Sequence, residues 1–116
     1  MEGHKDLLVW QKAMDLVTAI YKVTRTFPRE ELYGLTSQIR RAAVSIPSNI
    51  AEGHALKQTK AYLRHLAIAS GSLAELQTQL EIADRLGYLK PENQKVRGQA
   101  DEVGRMLAGL RRSLKV

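Results

Sequence analysis

The residues best suited to acid–base or metal chemistry near neutral pH are the three histidines, His4, His54 and His65. None has a His, Asp or Glu three or four residues further on, the spacing that puts two ligands on one helix face. His54 stands close to Asn49 and Glu52, a polar group best read as capping and loop hydrogen bonds. One helical ribonuclease family sets an arginine a few residues before its histidine. Asn49, Ser48 and Pro47 occupy those places before His54, and Lys60, Thr59 and Gln58 before His65, which disfavours that chemistry. Glu81 and Asp84 lie one turn apart and have the spacing to share a metal, but Arg85 is the better partner. No glycine-rich phosphate loop follows a strand, and the serines have no base near them. The expectation is therefore a protein that is not an enzyme and has no metal or cofactor. A metal-dependent nuclease using Glu81, Asp84 or Glu52 stands a distant third among the readings.

Basic residues are the remaining functional material. Arg40 and Arg41 flank one apolar stripe, Lys57, Lys60 and Arg64 cluster further on, and Arg105, Arg111, Arg112 and Lys115 load the C-terminal segment. Residues 90–116 hold seven Lys and Arg against three Asp and Glu, so most of the +6 net charge lies there. Guanidinium groups bind phosphate in a two-pronged geometry and need no particular base sequence. Only Tyr62 is an aromatic close to these charges, which argues for backbone contact over base stacking. For the last segment, complementing a helix dipole is a simpler alternative.

These residues must be positioned by helices. Leu35, Ile39, Ala42, Ile46 and Ile50 step by three and four, a helical face centred on the stretch LYGLTSQIRRAAVSIPSNIAEG. Thr36 is the expected N-cap, Gly53 the expected stop, and Pro47 is expected to kink the helix, a break with a restart at Ser45 or Ser48 being the alternative. A first helix over residues 7–26 carries two stripes: Val9, Ala13, Leu16, Ile20, Val23 and Phe27, and beside it Leu7, Trp10, Met14, Val17 and Tyr21. That width suits either one core or a core plus another subunit. Phe27-Pro28 ends this helix and Arg29-Glu30-Glu31 connects it to the next.

The third helix is expected from Thr59, as N-cap, to about Leu86, with Leu66, Ala69, Leu73, Leu76, Leu80 and Ala83 as its seam and Gly87 as its stop. A row of small residues, Ala67, Ser70, Gly71 and Ala74, suggests that another helix approaches closely. Pro91 opens a fourth helix whose stripe is Val96, Ala100, Val103, Leu107, Leu110 and Leu114. Four helices, short connections and no strand predict an all-α, antiparallel, up-down-up-down four-helix bundle. With no repeat or linker, residues 1–116 form a single domain.

Composition narrows the setting. The absence of cysteine removes disulfides, thiolate catalysis and cysteine-based zinc sites. The N-terminal MEGHKDLLVW is not a basic leader followed by an apolar run, and no stretch is apolar enough to span a bilayer. A cytoplasmic protein is expected.

The segments DLLVWQKAMDLV, ELYGLTSQIRRAAVSIPSNIAEG, GSLAELQTQLEIADRLGYL and DEVGRMLAGLRRSLK together resemble the four-helix bundle proteins encoded in intervening sequences of bacterial 23S ribosomal RNA genes. The resemblance spans residues 6–115 and implies an antiparallel bundle that assembles as a homopentamer. A related group, the accessory variability determinants of diversity-generating retroelements, forms pentameric barrels that bind nucleic acid and a reverse transcriptase. The chain departs from the pattern after its second helix. Relatives often have a glycine-rich and arginine-rich loop and then a Phe-x-Arg-Phe-Leu-like start, whereas here His54-Ala55-Leu56-Lys57-Gln58 precedes Tyr62-Leu63-Arg64-His65-Leu66. The expected function is nonspecific binding of RNA or DNA backbone by an oligomer, with Arg40, Arg41, Lys60, Arg64, Arg105, Arg111 and Arg112 as phosphate contacts. The alternative is a scaffold that docks a protein partner, such as a polymerase or reverse transcriptase, with no nucleic-acid role.

Overall fold

Four apolar stripes become four α-helices in the computed structural model, which describes residues 3–114. They are α1 (Leu8–Thr24), α2 (Leu35–Ala55), α3 (Thr59–Arg85) and α4 (Lys95–Leu114). Short 3-10 turns at His4–Asp6, Arg29–Glu31 and Pro91–Asn93 complete the ordered elements, and there is no strand among the described residues. Lys115 lies outside them.

The helices share one core. Leu16 and Ile20 of α1, Ile39, Ile46 and Ile50 of α2, Leu66, Leu76 and Leu80 of α3, and Val96, Val103 and Leu107 of α4 are all but inaccessible to solvent. Each helix packs on two neighbours: α1 on α2 and α4, and α3 on α2 and α4, with α2–α3 the most extensive pair. The second stripe of α1 divides. Leu7, Trp10 and Val17 lean on the core, while Met14 and Tyr21 stay exposed.

Several helix ends differ from expectation. Thr36 does not cap α2. Its side chain is buried in the first turn with Oγ1 unpartnered, and the Leu35 N–H is taken instead by Glu31 Oε1 at 3.1 Å. Gly53 does not stop α2. The helix runs unbroken through Pro47 to Ala55, and the chain turns at Lys57, whose φ of 57° is left-handed. Gly53 is buried because α3 crosses it: a Cβ there would sit 2.7 Å from His65 Cβ. Thr59 is the first residue of α3 and Gln58 precedes it as N-cap, without a side-chain capping bond. Pro91 begins a 3-10 turn, and α4 starts four residues later.

The end of α3 does follow the glycine rule. Gly87 has φ 79°, its N–H bonds to Asp84 O at 3.0 Å, and the Tyr88 N–H bonds to Ala83 O at 2.9 Å, the Schellman closure. Gly71 has nothing near it: no heavy atom outside its own surroundings lies within 4 Å of where a Cβ would be. The row of small residues on α3 is thus uncovered within the chain at this point, where a close helix neighbour was expected.

Candidate nucleic-acid interface

Two acid-free stretches of the chain are brought side by side. No Asp or Glu occurs between Gly53 and Ala74, nor from Val103 onward. Arg111 Nη1 donates to Ser70 Oγ at 3.3 Å, so the end of α4 lies along the first half of α3. Lys57, Lys60, Arg64 and Arg112 are exposed in these stretches, and Arg111 is half-buried. Arg64 is about 9 Å along the helix axis from Ser70. Within these two stretches nothing negative is interleaved, and Glu52 near the end of α2 is an acid that lies close to them.

The acids concentrate elsewhere. Glu81 bonds to Arg97 and accepts from Arg85 Nε at 2.9 Å, and Asp84 accepts from Arg97 Nη1 at 3.0 Å and from Gln94 Nε2 at 2.7 Å. The bonds from Arg85 and Arg97 hold the Glu81 carboxyl below the usual glutamate range. Both carboxylates are thus engaged by protein groups. Glu52 is far from them: it neighbours Gly53, which touches Tyr62 and His65 near the start of α3, roughly 25 Å from Glu81 along the axis. The three carboxylates named for a nuclease do not converge.

The seven predicted phosphate contacts fall into three groups. Lys60, Arg64, Arg111 and Arg112 share the positive end. Arg105 is exposed midway along α4, beside Gly104, whose surroundings include Leu73 Cδ2. Arg40 and Arg41 lie away from both. Arg41 is exposed in a cleft between α2 and α3 of about 470 Å³, together with Tyr33, Ser37 and Glu75. Arg40 is half-buried: its Nε donates to Thr24 Oγ1 at 2.9 Å and its guanidinium carbon lies 4.6 Å from the centre of the Tyr21 ring. None of the seven forms an ion pair among the described residues.

The aromatic company of these charges is wider than in the sequence reading. Tyr62 packs edge-on against His54, with ring centres 5.7 Å apart, and burial of its unpartnered hydroxyl raises its pKa. Tyr62 does share a cleft with Lys57, and Tyr21 and Tyr33 stand beside Arg40 and Arg41 as further aromatic neighbours. Tyr21 is distant in sequence from Arg40 and is brought near by the turn between α1 and α2, whereas Tyr33 precedes Arg41 by eight residues, about two helical turns.

Sequence reasoning also missed a polar seam between α2 and α3. Ser45 Oγ lies 2.8 Å from Ser72 Oγ, Asn49 reaches both Ser45 and His65, and His65 is 6% exposed. The signal was present: Ser37, Arg41, Ser45, Asn49 and Gly53 recur every four residues, one inclined ridge of α2.

Comparison with known proteins agrees with this architecture. No curated protein matches the chain. A solved structure of a protein of unknown function from the S23 ribosomal protein family of Bacteroides thetaiotaomicron superposes with a TM-score of 0.79. The match covers 89% of this chain and 97% of that one at 22% identity, a likeness of fold. The model of the 23S rRNA-intervening sequence protein family matches residues 5–109, which takes in all of α1, α2 and α3 and most of α4. By the extent of that match, the chain belongs to the 23S rRNA-intervening sequence protein family.

Proposed function

We propose that this chain is a non-enzymatic, self-associating cytoplasmic protein that holds RNA or DNA by its sugar-phosphate backbone. Contact is made at the end where the acid-free stretches of α3 and α4 meet. The observation that carries this reading is the grouping of Lys60, Arg64, Arg111 and Arg112 without an ion pair among the described residues. Uncompensated positive charge on a rigid surface raises the local concentration of a polyanion and releases its counterions on contact. Arg105 extends the surface along α4.

An up-down-up-down order supports the arrangement. The bonds Arg97–Glu81, Gln77–Asp101 and Arg111–Ser70 join α4 to α3 at steadily opposed positions, as Ser45–Ser72 and Asn49–His65 do for α2 and α3. Self-association, with the homopentamer as the expected assembly, is supported by a stripe on α3. Ala67, Gly71, Ala74, Thr78 and Ile82 are exposed and uncharged on one helix face. A second reading gives the same stripe to a protein partner such as a polymerase.

The test is binding to a labelled structured RNA and a matched DNA duplex across a salt series. The slope of log affinity against log salt should fall by about 1 for each phosphate contact removed in Lys60→Gln, Arg64→Gln, Arg111→Gln and Arg112→Gln. An unchanged slope removes these residues from the interface. A pull-down of a protein that survives nuclease treatment, with no nucleic-acid binding, would favour the second reading.

A further inference from the structure

At the other end of the molecule three arginines from three different elements line one small cleft. Arg25 follows α1, Arg29 opens the 3-10 turn and Arg40 is on α2; Thr24, Phe27, Leu32 and Thr36 complete the walls of a space of about 240 Å³. None of the three forms an ion pair among the described residues. The nearby acids among the described residues form no ion pair with them. Glu31 spends Oε1 on the Leu35 N–H and Oε2 on the Tyr88 hydroxyl at 3.0 Å, and Glu30 is exposed.

Arg40 is held for use. Thr24 fixes its Nε and the Tyr21 ring supports its plane, while its two terminal nitrogens have no hydrogen-bond partner among the described residues. A guanidinium anchored through Nε offers those two nitrogens as a fork matched to two oxygens of one phosphate. Thr36 adds a second signal. Its residue is 3% exposed, and its Oγ1 has no partner. A buried hydroxyl left unpaired is costly, so Thr36, which lines the cleft, gains from any side-chain movement that brings Oγ1 to an acceptor held there.

We propose that this cleft binds a terminal phosphate group, a phosphomonoester, with Arg25, Arg29 and Arg40 as its cationic ligands. A monoester carries up to two negative charges and three unshared oxygens, a better match to three guanidiniums than the single charge of a diester link. The cleft is smaller than the roughly 300 Å³ at which pockets begin to hold whole drug-sized ligands, so it takes the group and leaves the rest of the molecule outside. Arg40 is about 22 Å along α2 from the positive end, so this site does not depend on the backbone-binding reading.

The phosphate has two possible carriers, the 5′ end of a nucleic-acid strand or a small phosphorylated molecule. The experiment titrates the full chain with inorganic phosphate, following the arginine Nε–H signals by NMR. It then compares a 5′-phosphorylated with a 5′-hydroxyl RNA oligonucleotide. Phosphate should shift the Arg40 signal, and Arg25→Gln or Arg29→Gln should each weaken binding roughly tenfold. Both positions are exposed, so these variants keep the fold even if Arg40→Gln does not. Lys5→Gln, at an exposed position outside both sites, should leave phosphate binding unchanged. A preference of roughly tenfold or more for the 5′-phosphorylated strand assigns the strand end, and phosphate binding without that preference assigns a small molecule. The proposal is overturned if millimolar phosphate shifts no arginine signal, or if the Arg25 and Arg29 variants bind phosphate as tightly as the parent.

Discussion

Asn49 Oδ1 accepts a hydrogen bond from His65 Nδ1 at 3.0 Å, and the partners of Asn49 decide which way that bond runs. The Asn49 Nδ2 donates to Ser45 O at 2.9 Å and to Ser45 Oγ at 3.1 Å, so Oδ1 is left as the acceptor and His65 must carry its proton on Nδ1. A chain of side chains thereby joins α2 to α3 inside a mostly apolar interface. Asn49→Ala strands the His65 Nδ1–H in a buried place and should cost about 1–3 kcal/mol. A urea melt measures this, and an unchanged midpoint would mean that the seam adds nothing to stability.

The glycines allow a paired comparison. Gly53→Ala places a methyl 2.7 Å from His65 Cβ and 3.2 Å from Tyr62 Cδ1, and His65 Cβ is too close to the backbone to swing away. The loss should be about 1–3 kcal/mol, less whatever alanine returns in helix propensity. Gly71→Ala meets nothing within 4 Å on an exposed helix face and should gain about 0.5–1 kcal/mol in the isolated chain. Thermal melts of the two variants should move in opposite directions.

How much of this was legible beforehand follows from what periodicity can encode. The stripes of α1 through α4 predicted the core because burial repeats with the helix, and Val9, Ile39, Leu66 and Val96 are all where that rule puts them. Gly87 was legible because a positive φ is a local demand. Gly53 was misread for a tertiary reason: it is small so that His65 fits against it, and no local rule distinguishes that from a helix stop. Thr36 failed as a cap because Glu31, one turn earlier, reached the first amide. At the candidate interface, the acid-free runs were visible in the sequence. That they lie together, and that Arg40 stands apart with Tyr21 and Thr24, depended on how the helices pack.

The Glu81 pairings predict an acid-side effect. Its folded pKa is depressed below the ordinary 4.5, chiefly by hydrogen bonds from Arg85 and Arg97. Such a group adds stability above its ordinary pKa and loses it as pH falls through the folded value. Glu81→Gln should therefore be less stable than the parent at neutral pH, and the gap should begin to narrow below 4.5 and close as pH falls through the lower folded value. Tyr88 behaves oppositely. Its hydroxyl donates to Glu31, which raises its pKa above 10.0, so the contribution removed by Tyr88→Phe is present below that pH and fades above it. Melts across both ranges check the signs.

The uncharged stripe of α3 can be tested without knowing any partner. Ala74→Asp or Ile82→Asp puts a charge on an exposed helix face and should leave the helix content intact. If that face joins copies of the chain, the mass by light scattering should fall toward 13.0 kDa. An assembly of undiminished mass would place self-association elsewhere.

The closeness of α2 and α3 also bears on the order in which the molecule comes apart. These helices are consecutive, their link is short, and they share the most extensive packing together with the hydrogen-bonded seam. Closing so short a connection costs little entropy, and contacts made nearby in sequence form early. The hairpin of residues 35–85 is therefore the last unit to open, while α1 and α4 are held from outside and loosen at lower free energy. The positive end spans both kinds of material, with Lys60 and Arg64 on the persistent hairpin and Arg111 and Arg112 on a helix free to peel away. A strand bound across all four would fasten α4 to the hairpin, so occupancy of that surface and cohesion of the molecule rise together.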